Sequence, residues 1–329
     1  MIKKLGVFKD FTDNSLKSVF DIGENKIIEM TLLFNKEDKD VVCVPTHHFC
    51  NLGCKMCHLT NNKLNKKMIP IKKEEFYESL IDTLKVNGNK RTNKDKLLIS
   101  FMGVGEPLLN FKLIKEIFLL EKQIREELNY KEISYALSTM MPNKNLEKIM
   151  NIVNELNMPL KIHFSLHTPI DEDRKKLIPS TNVSIEEALS YLIKYKDLLQ
   201  SNKVIMDRYT KMHRNNIPIE IHYTLIDGIN DGKKELDKIT KLLNIYNIPL
   251  KFIKFNPKEE LLISEKEEDW IKYIKDNVKD VKIKTYTPPG REIGSSCGEF
   301  TKHYYHEEIE TEEELEEFLT WKKVHQIFE

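Results

Sequence analysis

From Asp38 onward the chain alternates between short apolar runs and amphipathic stretches, and no other feature of the sequence limits the fold as much. The runs cover residues 41–45, 97–102, 132–138, 160–166, 217–226, 250–255 and 280–286. Between them, residues 112–127 bring Leu113, Ile117, Leu120 and Ile124 onto one helical face. Residues 145–156 do the same with Leu146, Ile149, Val153 and Leu156, and residues 231–244 with Leu236, Ile239 and Leu243. This alternation predicts a parallel sheet with helical crossovers. About six such units suit an α/β partial (β/α)6 barrel, and a doubly wound sheet is the alternative. Ahead of the block, Ser18–Asp21 and Ile27–Phe34 alternate around Gly23-Glu-Asn25 and predict a β-hairpin extension. Behind it, eight glutamates between Glu307 and Glu317 predict a short acidic helical tail, docked through Leu315, Phe318 and Leu319. The expected division is therefore 1–37, 38–287 and 288–329.

Lys+Arg and Asp+Glu are both 52, so no global charge advertises a nucleic-acid partner. Local basic groups remain, with Lys63, Lys66, Lys67, Lys72 and Lys73 on the stretch after the cysteine triad. Lys90, Arg91, Lys94 and Lys96 precede the second run and read as a solvated loop. Five cysteines, three of them clustered, argue against a secreted disulfide framework. No 18-residue apolar span occurs, and no apolar leader follows Met1. The expectation is a soluble, cytoplasmic monomer with no membrane partner.

Open α/β architectures collect their chemistry at the carboxyl ends of the strands. The unusual polar residues lie there. The first run leads into Cys50-Asn-Leu-Gly-Cys54-Lys-Met-Cys57, and the second into Gly103-Val-Gly105-Glu106-Pro107. The third ends in Ser138-Thr139, the fourth in Ser165-Leu166-His167, the fifth in Asp227-Gly-Ile-Asn-Asp231 and the sixth in Asn256-Pro257. Thiolates are soft ligands for iron–sulfur clusters or zinc. On a four-iron cubane, three cysteines leave one iron open, and the amino and carboxylate groups of S-adenosylmethionine (SAM) can chelate it. Glu106 is then a partner for the SAM ammonium. Ser138, Ser165 and Asn256 are partners for its ribose, and Gly103 and Gly105 permit close approach of the adenine. The competing reading is a closed Cys3His zinc site that takes its fourth ligand from His47, His48 or His58.

Two cysteines lie outside the triad. Cys43 sits in the first run and reads on its own as a small buried hydrophobe. Cys297, in Gly294-Ser-Ser-Cys297-Gly298, sits on approachable backbone where a thiol can react. The triad spacing resembles the radical-SAM signature. Together with Cys43, Gly105-Glu-Pro, Ser165-Leu-His, Leu225-Ile-Asp-Gly-Ile-Asn-Asp231, Phe255-Asn-Pro and Cys297-Gly, the chain resembles the RlmN/Cfr family. These are dual-cysteine radical-SAM methyl synthases that modify adenosine in RNA.

The resemblance implies that Cys50, Cys54 and Cys57 hold a 4Fe–4S cluster. Gly105, Glu106, Ser138, Ser165, Leu166, His167 and Asn256 contact SAM, of which two are used per turnover. Cys297 accepts a methyl group by displacement, and a 5′-deoxyadenosyl radical then activates that S-methyl for addition to C2 or C8 of an adenine. Cys43 resolves the protein–RNA adduct through a transient disulfide with Cys297, and Glu29 is the proton acceptor. The implied partners are an RNA substrate, ribosomal or transfer RNA, and a one-electron donor such as flavodoxin or ferredoxin. The sequence departs from the family at Met56, usually aromatic, and at Glu292, usually Asp. With about forty residues ahead of Cys43, the family's accessory RNA-binding domain is expected to be absent. Two rival readings follow: the same chemistry on another adenine-containing substrate, and a zinc-stabilised RNA-binding module without catalysis.

Overall fold

Strands form at each of the apolar runs, and helices fill the gaps between them. The computed structural model describes residues 2–24, 26–34, 36–60, 67–213, 215–258, 260–294 and 312–328. Asn25 of the predicted hairpin turn, Lys63, Lys66, Cys297 and Glu307–Thr311 of the acidic tail fall outside them. The order begins with β1 (Lys3–Lys9), β2 (Leu16–Gly23), β3 (Lys26–Leu33), β4 (Asp40–Val44) and α1 (Lys73–Leu84). A small ribbon of β5 (Lys85–Val86) and β6 (Asn89–Lys90) precedes β7 (Lys96–Phe101), α2 (Phe111–Leu119), α3 (Glu121–Leu128) and β8 (Glu132–Thr139). Then come α4 (Leu146–Leu156), β9 (Leu160–Ser165), α5 (Asp171–Leu177), α6 (Ile185–Ser201), α7 (Lys203–Met212) and β10 (Ile219–Tyr223). The chain ends with α8 (Lys233–Tyr246), β11 (Leu250–Ile253), α9 (Glu267–Asn277), β12 (Ile283–Tyr286), α10 (Glu312–His325) and β13 (Gln326–Phe328).

Two compact units share these elements. One holds residues 1–51, 57–136 and 289–329; the other holds 52–56 and 137–288. Strand β8 begins in the first and ends in the second.

In the first unit β1 to β4 form an antiparallel meander, and β4 runs parallel to β7 with Cys43 opposite Ser100. Strand β1, which period-2 reasoning did not single out, is covered on its outer edge by β13. That pairing leaves fewer open strand hydrogen-bonding groups at this edge. Phe8, Val19, Ile27 and Ile293 form an apolar cluster, with Leu5 and Trp321 packed against it. Trp321 stacks on Phe8 and on Phe318, whereas Leu319 stays half exposed. Among the described side chains the tail therefore docks through Trp321; that of the predicted anchor Leu315 falls outside them. The predicted helix over 112–127 is broken into α2 and α3, because Leu120 leaves helical geometry at ψ −1. Of the expected stripe Leu113, Ile117 and Ile124 are buried, and Leu120 at the break is half-buried.

The second unit carries β9, β10, β11 and β12, all parallel and in successive register. Most of their residues are buried, as parallel strands covered by crossover helices require. Helices α4 and α8 end on left-handed asparagines, Asn157 and Asn247, whose short amides tolerate a conformation most side chains avoid. Two of the residues expected in a solvated loop before β7, Lys90 and Arg91, prove to be structural ties. Lys90 donates to the Lys94 and Asn129 carbonyls, and Arg91 to the Thr83 carbonyl.

Candidate functional site

The loop that carries the cysteine triad passes through both units, and each unit holds its own part of it. In the first unit, Thr46 and His47 both donate their N–H to the Val104 carbonyl, at 2.9 and 3.2 Å. This ties the start of the triad loop to the Gly103–Glu106 loop after β7. The approach is close enough to demand glycine. A Cβ on Gly103 would lie 2.7 Å from the Pro45 nitrogen, and one on Gly105 would strike His47 and Thr46. Gly105 also adopts φ +105, where side chains are strained. Both glycines thus serve loop-to-loop packing. Gly105→Ala should cost about 2 kcal/mol or more of stability, from backbone strain plus overlap. The urea midpoint checks this, with Gly88→Ala as control, since Gly88 has a positive φ but nothing within 4 Å.

Glu106 is 3% exposed, and its Oε1 accepts the Leu108 N–H at 3.0 Å. Asn110 reaches back with its amide to the Thr46 and Ile71 carbonyls. The Gly-Glu-Pro motif is therefore a rigid clasp on the triad loop, with its carboxylate fixed in place. His48 is committed as well. Its Nδ1 lies 3.2 Å from the Ile27 carbonyl and its Nε2 3.3 Å from Glu75. With both nitrogens so engaged, His48 is not available as the fourth ligand of a closed zinc site. Burial and the neighbouring His48 push His47 down to about 4, so it is neutral at pH 7.

On the strands behind this loop, one sheet face carries a polar row. Lys17 on β2 pairs across with Thr31 on β3, Thr31 with Cys43 on β4, and Cys43 with Ser100 on β7. Glu29, two residues before Thr31, shares that face. Burial drives the Cys43 thiol up to about 11, opposed by the Lys17 charge and by an N–H bond from Met102. Lys17 is a buried charge of this row, ion-paired to Glu29 at 2.8 Å, that the sequence did not single out. Its period-2 position places it on the same face as Val19, and that was the available signal.

In the second unit, Leu52, Cys54 and Met56 pack on an apolar floor of Met140, Leu177, Ile178, Ile226 and Phe255. Met56 fills apolar space where the family usually has an aromatic. The Lys55 N–H donates to the Leu177 carbonyl at 3.0 Å, and the Ser180 hydroxyl donates to the Leu52 carbonyl at 2.7 Å. Ser138 and Ser165 meet, Oγ to Oγ, at 3.2 Å. His167 is held at φ +56. Its Nδ1 accepts the Thr224 N–H at 3.2 Å, and its carbonyl accepts the Asn230 amide at 2.6 Å. Burial, chiefly, takes its imidazole down to about 3. It is a neutral ring whose Nε2–H is left as a donor. Leu166 is fully buried, and Asn256 is half-buried beside Phe255.

Two supports of this half were not foreseen. Arg174 is 1% exposed and donates to the Met140, Ser165 and Leu166 carbonyls, which joins the ends of β8 and β9. Asn230 and Asp231 belong to the Leu225–Asp231 motif, where they brace the turn under His167 rather than face a ligand.

Deeper in the same unit, His163, Glu220 and His222 offer ligand atoms within 4.8 Å of one another. Three ammonium groups already surround that carboxylate: Lys161 at 3.0 Å, Lys251 at 2.9 Å and Lys284 at 2.7 Å. A divalent cation would meet net positive charge there, so the group is an ion network and not a metal centre.

The triad fits an iron–sulfur cluster. Cys50, Cys54 and Cys57 are all partly exposed and none is disulfide-bonded. Three thiols are a soft donor set that on a four-iron cubane leaves one iron for SAM, and His48, otherwise engaged, does not compete for it.

The profile of the radical SAM superfamily matches residues 44–243. A curated relative from Clostridioides difficile strain 630, named "Probable dual-specificity RNA methyltransferase RlmN", is 25% identical over 296 residues, covering 89% of this chain and 77% of its own. One of the same name from Finegoldia magna is 27% identical over 295 residues, covering 87% and 74%. Among solved structures, a radical SAM methyltransferase from Sphaerobacter thermophilus superposes with a TM-score of 0.67 at 18% identity, over 91% of this chain and 80% of that one. That last likeness concerns the fold. Radical SAM proteins carry a 4Fe–4S cluster and SAM, the two groups that the donor set described above fits. With more than half of its length matching that superfamily, this protein belongs to the radical SAM superfamily, in its RlmN/Cfr-like group.

Proposed function

We propose that this chain is a SAM-dependent RNA methyltransferase that places a methyl group on an adenine ring carbon by way of S-methylcysteine at Cys297. The observation that carries the reading is the polar row behind the triad loop. There Cys43 and Glu29, a thiol and a carboxylate, share one face of adjacent strands. A structural module has no need of such a row. The relatives' printed names support the RNA substrate, and their alignments cover 89% and 87% of the chain.

Bound at Cys50, Cys54 and Cys57, the cluster supplies the electron and SAM the methyl group and radical that an aromatic C–H carbon requires. The chain's own residues set the geometry. Glu106, fixed by its bond to Leu108, is the acceptor for the SAM ammonium, and Gly105 lets that carboxylate sit against the triad loop. Ser138, Ser165 and Asn256 are ribose partners, Leu166 is apolar wall, and His167 donates through Nε2. Glu29 accepts the proton released from the adenine carbon, and Cys43 resolves the adduct. Ribosomal RNA is the proposed target, with transfer RNA the alternative. Exposed Lys67 and Lys72 lie beyond the triad to meet phosphates. A flavodoxin- or ferredoxin-type donor, a cytoplasmic setting and a monomer complete the reading. Among the described residues no helix is long and apolar enough to cross a membrane.

The test is anaerobic reconstitution with iron and sulfide, then intact-mass and peptide mapping after SAM and reductant. A brown protein with about four irons that gains a methyl on Cys297 is the expected result. A colourless protein that keeps zinc and never gains a methyl would sink it.

A further inference from the structure

We propose that Lys17 is a positioning residue, which holds Glu29 and the backbone leading to Cys297 in one buried contact and readies the Cys43 thiol to ionise. The proposal rests on the roles given above to Cys43 and Glu29. Lys17 is 1% exposed, on β2. Its ammonium lies 2.8 Å from Glu29 Oε2 and 3.1 Å from the carbonyl of Gly294. The second of those bonds bridges 277 positions of sequence. A lysine takes such a place only where partners repay its desolvation, so the arrangement is specific.

Three observations point the same way. Among the described residues Glu29 Oε1 is buried with no hydrogen-bond partner, so Lys17 occupies one oxygen and leaves the other to receive a proton. Thr31 stands opposite both Lys17 and Cys43 in the strand register, which places the ammonium two strands from the sulfur on the same face. The segment that ends at Gly294 is pinned from elsewhere in the unit too. Asp13 accepts the Gly290 N–H, Asp10 accepts the Glu292 N–H at 3.0 Å, and Trp321 donates to the Glu292 carbonyl at 3.0 Å. The backbone three residues before Cys297 is thereby fixed to the strands that carry Cys43 and Glu29.

Among the described residues, the charged groups that act on Cys43 are Lys17 from β2 and Glu29 from β3; β7 contributes the uncharged Ser100 and the Met102 N–H. The two charges act in opposite senses on the thiol, since the ammonium favours the thiolate and the carboxylate opposes it. This gives a signature that loss of packing cannot imitate.

The experiment alkylates the cluster-loaded protein with iodoacetamide across pH and follows Cys43 by peptide mass. Neither RNA nor SAM is present. Lys17→Met should slow Cys43 alkylation about tenfold or more at each pH below the midpoint. Lys17→Arg should stay within about threefold of the parent, and Glu29→Gln should speed the reaction. If Lys17→Met and Glu29→Gln shift the rate in the same direction, or neither shifts it, Lys17 does not poise this thiol. A Cys43 that never reacts in the parent protein overturns the proposal equally. Failure here is distinct from failure of the proposed function, which is read from the methyl on Cys297.

Discussion

Glutamine in place of Glu220 should lower the stability of the second unit by about 3–5 kcal/mol, the largest single-residue effect expected on the fold. Glu220 is completely buried on β10, and it is the anion shared by Lys161, Lys251 and Lys284. An amide keeps the shape and removes the charge, which leaves Lys161, itself 7% exposed, without a counter-ion. His163 and His222 cannot compensate, because an imidazole is neutral or cationic and never an anion; burial lowers both rings, His222 to about 4. Urea unfolding followed by buried Trp270 would measure the loss. A change under about 1 kcal/mol would mean that water, not Glu220, balances the lysines.

The pH dependence follows with a definite sign. Burial alone would raise the Glu220 carboxyl, but His222 and the lysine charges hold it far below the ordinary carboxylate range. A depressed carboxyl contributes stability that is present above its unfolded value near 4.5 and declines as pH falls below it. Lys161 works in the other part of the scale. Burial lowers it from 10.5 to about 8, so the unfolded chain binds more protons between those values and stability rises with pH there. In Glu220→Gln the rising window should begin at lower pH, since the remaining attraction that keeps Lys161 charged is gone. An unchanged window would disconnect the two residues.

How much of this was legible in the sequence depends on whether a feature is periodic or arises from long-range pairing. The runs at 97–102, 160–166 and 250–255 became strands because continuous apolar stretches with helices between them have few other ways to bury both faces. The helix over 145–156 is α4 almost to the residue. Edge strand β13 escaped because it is defined by pairing with β1 across more than 300 positions, which no local window contains. The break at Leu120 escaped because the hydrophobic stripe runs through it without a change of phase. Site residues divided in the same way. Cys50, Cys54 and Cys57 announce themselves by spacing, and Ser138 and Ser165 by strand ends. Lys17 and Arg174 look like surface charges until the fold shows what they touch. Conversely, Asn230 and Asp231 stood out in the sequence, but their conspicuous motif is a hydrogen-bonded turn.

Cys54→Ala should strip the protein of its cluster while leaving the fold in place, and that separation is the second large effect. Three thiolates are the minimum that holds a cubane with one iron open, so removing one should take bound iron from about four to near zero, with loss of the brown absorbance. The fold has other holds on this loop. Leu52 and Met56 still rest on the Met140–Phe255 floor, and the bonds from Lys55 to Leu177 and from Ser180 to Leu52 use backbone atoms of the loop that the substitution spares. Cys54 is only partly buried, so truncation to alanine, which removes its sulfur contact with Met140 at 3.7 Å, should cost about 1 kcal/mol. Cys43→Ala is the informative contrast. It lies on β4, outside the triad, and should keep its full iron content while losing the resolving thiol. Iron measured in both variants therefore assigns the ligands independently of any substrate. Retention of iron in Cys54→Ala would mean that the cluster is held by another residue, and the open-iron geometry inferred for SAM would fall with it.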